Sequence, residues 1–197
     1  MLDLRRRSLC VIWSVAVVMV CASVVGCKPT AEGEAKAFAR YKTSAAEYSA
    51  KWPGFKSVVD ATLSAATTKM EAAKKVSGEE KKGAAMKAAN EPLKNLTGKL
   101  GEVKYKSEAL EKVVTKLNKL RLGKSKHKER KRGVKRANDT LREVTEAMSA
   151  AKPADLAAAM TILKEQVSKL ISAKGSADRL HRKLGGVKSK KKKKKKK

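Results

Sequence analysis

Cationic side chains carry most of the chemistry available to this chain. In "GKSKHKERKRG" (residues 123–133), Lys124, Lys126, Lys128, Arg130, Lys131 and Arg132 stand against a single acid, Glu129. At the C-terminus, "GGVKSKKKKKKKK" places Lys188 ahead of an unbroken run: Lys190, Lys191, Lys192, Lys193, Lys194, Lys195, Lys196 and Lys197. Ammonium and guanidinium groups at this density contact phosphates and carboxylates as point charges or forks, and they release counterions on doing so. No reaction chemistry accompanies them. His127 in "KHKE" and His181 in "LHRK" sit among like charges, and no carboxylate is placed to orient them. A Gly-rich phosphate loop, a metal-spaced ligand set and a nucleophile elbow are all missing from the sequence. The expectation is a non-enzymatic protein with no cofactor and no metal. One other side chain stands out, the thiol of Cys27. It is the last of three cysteines, after Cys10 and Cys21, so the body beyond it holds no disulfide and no Cys-ligated metal.

Cys27 closes the one long apolar run. Arg5, Arg6 and Arg7 precede about 17 mostly apolar residues that end at Val25, the pattern of an export signal. As a membrane span the run is short, since about 30 Å of hydrocarbon asks for roughly 20 residues. The three arginines hold the N-terminus in the cytoplasm, which puts everything after Cys27 outside it. Val24-Val25-Gly26-Cys27 resembles the lipobox of bacterial lipoproteins, with Val in place of the more typical Leu at its first position. The resemblance covers only the first 30 or so residues. It implies a diacylglycerol on the Cys27 sulfur, cleavage before Cys27 and acylation of the new amino group. The membrane is then a partner through acyl chains (palmitate among them). Lys28, rather than Asp, leans the resemblance towards the outer membrane. The alternative is an uncleaved signal-anchor in which Cys27 is incidental.

Removing residues 1–26 leaves 171 of 197 residues and takes away three Arg and one Asp, so the net charge falls from +29 to +27. A surplus of this size repels itself in a compact fold and points to a polyanionic partner. Outside the cytoplasm the candidates are anionic glycan, peptidoglycan carboxylates, lipid head groups and extracellular DNA.

The elements that must position these charges read as helices throughout: an all-α fold of elongated hairpins or a small antiparallel bundle. Phe38, Tyr41, Ala45, Tyr48 and Trp52 follow 3-4 spacing on one face, and "WPGF" (residues 52–55) breaks the helix. A second stripe runs through Phe55, Val58, Val59, Leu63, Ala66, Met70 and Ala73. Ser77 with Glu80 three residues on reads as a capping box. Leu93, Leu96, Leu100, Val103, Ser107, Leu110, Val114 and Leu117 form a coiled-coil-like seam. Gly98 and Gly101 interrupt it at about 1 kcal/mol each, so a kink is expected, with firm helix from Glu102. The fourth stripe is Val134, Ala137, Leu141, Val144 and Met148. The fifth, Leu156, Met160, Leu163, Val167, Leu170 and Ile171, is expected to stop near Gly175.

The expected organisation is a signal peptide over residues 1–26, a lipidated Cys27 with linker over 27–35, a helical body over 36–184 and a disordered polylysine tail over 185–197. Residues 123–133 read as a hairpin tip, because wound into a helix their charges are expected to surround the axis. Tip and tail together make the candidate polyanion site. Murein lipoproteins are similar in layout (lipidated N-terminus, helical body, C-terminal Lys), which implies a covalent link from Lys197 to peptidoglycan. The eight consecutive lysines and the longer body depart from that pattern. Two other readings stay open: an adaptor that offers the seam of residues 93–117 to a partner helix or to a second copy, and a histone H1-like DNA binder.

Overall fold

The computed structural model describes residues 29–185, so Cys27 and all the tail lysines from Lys188 to Lys197 lie outside the described residues. Those described form five α-helices: α1 (Ala31–Lys51), α2 (Lys56–Lys74), α3 (Glu79–Asn118), α4 (Lys124–Ala150) and α5 (Leu156–Gly185). One 3₁₀ turn, Pro53–Phe55, joins α1 to α2. There is no strand among them, and none of these helices is long and apolar enough to cross a membrane. The fold is all-α.

The organising element is α3, which runs 40 residues, or about 60 Å at 1.5 Å per residue, and touches all four other helices. Around its first half pack α1 and α2. Around its second half pack α4 and α5. Leu93, Leu96, Leu100, Leu110 and Leu117 are completely buried against these neighbours. The seam of residues 93–117 is thus filled by the chain's own helices, and the adaptor reading has lost the free face it required. One core joins Trp52 and Phe55 at the α1–α2 corner to Met148 of α4 and to Leu163 and Leu170 of α5. A smaller cluster of Ala31, Met70, Ala73, Met86 and Ala89 closes the other end.

Four expectations are corrected. The helix is not interrupted at Gly98 and Gly101. The helix continues because Leu96, Leu100 and Val103 around the glycines are buried, which outweighs two propensity costs of about 1 kcal/mol each. Pro92 lies inside the same helix and removes one ladder hydrogen bond, offset in the same way by Leu93. The Ser77 capping box does not form. Gly78 is the N-cap at φ 86°, a left-handed conformation that suits glycine, and the helix begins at Glu79. Helix α5 passes Gly175 and continues to Gly185, burying Ala177 and Leu184, while Ile171 is 49% exposed. The linker expected over 27–35 is shorter, because α1 starts at Ala31. There Thr30 Oγ1 accepts a hydrogen bond from the Gly33 N–H at 3.1 Å, and Glu32 and Glu34 occupy the first turn.

The start of α1 is fixed on the start of α3. Ala31 N–H donates to Glu79 Oε1 at 3.1 Å. The buried Asn90 donates through Nδ2 to the Glu34 carbonyl at 3.0 Å and to Glu34 Oε2 at 2.9 Å. Further along, Lys104 Nζ donates to Glu47 Oε1. That hydrogen bond, reinforced by the opposite charge, holds the Glu47 carboxyl below its usual 4.5 and the Lys104 ammonium above its usual 10.5. Both stay ionised at neutral pH. A Cβ at Gly83 would come within 2.0 Å of the Pro29 carbonyl oxygen, a backbone atom that cannot swing aside. Gly83→Ala is therefore expected to push residues 29–31 off α3 and to lower the unfolding free energy by about 1–3 kcal/mol in urea titration.

Candidate polyanion interface

The basic segment is helical, which corrects the hairpin-tip reading of residues 123–133. The turn is only residues 119–123, and α4 begins at Lys124 with Gly123 as N-cap. The Gly123 carbonyl accepts from the His127 N–H at 3.1 Å. Lys and Arg are good helix formers, and glycine at the cap needs no side-chain partner, so nothing opposes the helix starting there.

Helical geometry also sorts the charges. At about 100° per residue, Lys124, Lys128, Lys131 and Lys135 fall within one narrow face, an i, i+4, i+7, i+11 stripe about 16 Å long. The expectation that the charges surround the axis holds only for Lys126 and Arg130, on the opposite side. All four stripe lysines are exposed. None has a carboxylate within 4.0 Å among the described residues. Arg132 and Arg136 flank the stripe and are exposed too. Sequence reasoning passed over Lys135 and Arg136. The signal was their spacing from Lys124, which becomes readable once the helix is known to begin there.

Arg130 has a different task. Its Nη1 donates to the carbonyl oxygens of Asn118 at 3.2 Å and Leu120 at 2.8 Å, satisfying acceptors left open where α3 ends. Arg130→Ala is expected to lower stability by about 1 kcal/mol in urea titration. Its effect on polyanion affinity should be smaller than that of Lys131→Ala.

The electrostatics at this end favour an anion. Over residues 124–136 there are eight cations and one acid, and that acid, Glu129, is paired with Lys183 at 2.6 Å. No acid occupies the first turn of α4, so the positive end of its dipole is uncompensated and the lysines add to it. The fold brings the end of α5 to the same place, where a Cβ on Gly185 would lie 3.7 Å from Leu120. The chain thus leaves its described part beside the stripe, and the tail lysines follow within a few residues. Among the described residues, no three His, Cys, Asp or Glu side chains gather into a group able to hold a metal. No family model, curated protein or solved structure matches this chain.

Position along α3 is the remaining geometric fact. Residues 29–31, which follow Cys27 after Lys28, sit at its first turn. The lysine stripe begins beyond its last turn. The start of the stripe is separated from residues 29–31 by the length of the helix, about 60 Å, and the rest of it runs back beside α3, with Arg130 at the level of Asn118 and Leu120.

Proposed function

We propose that this chain is a lipid-anchored helical protein of a bacterial envelope that binds polyanions without catalysis.

 The observation that supports it is the separation along α3. The residues next to Cys27 lie at one end of a helix about 60 Å long and the unpaired lysine stripe lies at the other. Acyl chains on Cys27, two or more of them, give a firm hold on a membrane. The stripe then stands many Debye lengths from that membrane, at about 8 Å each in physiological salt. The cations therefore address a second surface: an anionic glycan, peptidoglycan, another lipid surface or extracellular DNA. The placement in the outer membrane leans on Lys28 alone.

The test uses the full chain made in a bacterium able to lipidate it, beside Cys27→Ser. The expected protein begins at Cys27, carries acyl chains in its intact mass, floats with neutral vesicles and takes a soluble polyanion up with it. The variant loses the acyl mass and the flotation. An unprocessed mass with membrane retention in both proteins would make the segment a signal-anchor, and flotation without any polyanion at low salt would remove the binding role.

A further inference from the structure

The lysine stripe accounts for attraction but provides no seat. Beside it, α4 and α5 part to leave a groove of about 660 Å³. The two helices run antiparallel, with Glu129 meeting Lys183 and Gly133 lying under Leu180. The groove extends from Glu129 to Glu143 on α4, about 20 Å of helix. Its floor is methyl groups, from Ala137, Ala173 and Ala177. Arg132 and Arg136 stand on the α4 wall one helical turn apart. Both are exposed, and neither guanidinium has a partner among the described residues. Hydroxyls of Thr140, Ser172 and Ser176 line it too, with Lys169, which is paired to Glu165. Of the two acids at the rim, Glu129 is neutralised by Lys183 and Glu143 lies at the end away from Arg132.

We propose that this groove seats one strand of an anionic glycan, with its acidic groups on Arg132 and Arg136 and its hydroxyls on Ser172, Ser176 and Thr140. The inference rests on the polyanion reading and gives that reading a binding site. Charge complementarity selects an anionic occupant, which rules out the chain's own lysine-rich C-terminus. Helices pack about 8–10 Å apart, so the space between two of them admits a single strand and not a duplex. Single-stranded nucleic acid is held largely by stacking its bases on aromatic rings, and no aromatic ring lines this groove. A sugar strand needs no such platform, and its hydroxyls match those along the groove. Paired arginines supply the forks that hold carboxylates or phosphates.

The test measures affinity of the lipidated full chain in neutral detergent, near physiological salt, for a labelled hexagalacturonate and for single-stranded dT12. Arg132→Gln with Arg136→Gln is expected to weaken glycan binding about tenfold or more. Lys124→Gln with Lys126→Gln removes the same charge from the same end outside the groove and is expected to cost less than threefold. Ser172→Trp fills the groove without altering charge and should match the arginine pair. All five positions are exposed, so the variants should keep the wild-type circular dichroism. Equal losses from both pairs, with Ser172→Trp silent, would overturn the seat and leave charge acting without one. The same groove dependence with dT12 bound more tightly than the glycan would overturn the choice of ligand. Failure of the wild type to bind either polymer even at low salt would instead remove the polyanion reading beneath both.

Discussion

Raising monovalent salt from 50 to 200 mM is expected to weaken polyanion binding by about 10³-fold or more, with duplex DNA as the calibrating probe. Six cations at the far end of α3, Lys124, Lys128, Lys131, Lys135, Arg132 and Arg136, are exposed and without an acidic partner. Each phosphate neutralised contributes about −0.9 to the slope of log K against log salt, so six contacts give about three decades over that range. Substituting all four stripe lysines with Gln should reduce the slope by about 3.6. Lys126→Gln, on the opposite side of α4, should leave it nearly unchanged. A slope that ignores the stripe would locate binding elsewhere. Exposed cations whose neutralisation leaves the fold intact make this a clean measurement, because nothing in the core depends on them.

Leu100→Ala is expected to destabilise the protein by about 3–5 kcal/mol. Leu100 is fully buried at the middle of α3, where the α1–α2 corner meets the helices of the distal half. Truncation there leaves a cavity in the middle of the shared core. Small domains have only about 5–15 kcal/mol to lose. The variant should therefore show a much lower urea midpoint in a single transition that both halves share. Ile171→Ala provides the comparison. It is a large aliphatic residue on α5 that stays 49% exposed, and its removal should cost well under 1 kcal/mol. Two separate transitions in Leu100→Ala would mean that α3 does not couple the halves.

Apolar spacing made much of this fold readable in advance. Phe38, Tyr41, Ala45, Tyr48 and Trp52 mark the inner face of α1. The break at Pro53 and Gly54 is the 3₁₀ turn, and Val134 to Met148 mark the inner face of α4. Reading by local rule failed wherever glycine or charge density opposed a helix that tertiary contacts maintain. Gly98 and Gly101 lie in a helix whose neighbouring leucines are buried, and Gly175 lies in one that buries Ala177 and Leu184 beyond it. A penalty of about 1 kcal/mol is visible in sequence, whereas the burial that outweighs it is not. For the candidate site, the surplus of cations was plain from composition. Their common face was hidden until the N-cap at Gly123 fixed the phase of α4. The α4–α5 groove was beyond reach, because it requires α5 to run past Gly175. The separation of residues 29–31 from the stripe depends on the continuous α3, which Gly98 and Gly101 appeared in sequence to divide.

The most direct test of the central claim is neutron reflectometry on a neutral supported bilayer carrying the lipidated protein, before and after adding a deuterated anionic polymer. The account predicts a protein layer anchored at the head groups and a polymer layer centred about 40–60 Å above them, lost at high salt and in the lysine-stripe variant. Polymer lying at the head groups, or a protein layer too thin to hold α3 upright, would contradict it.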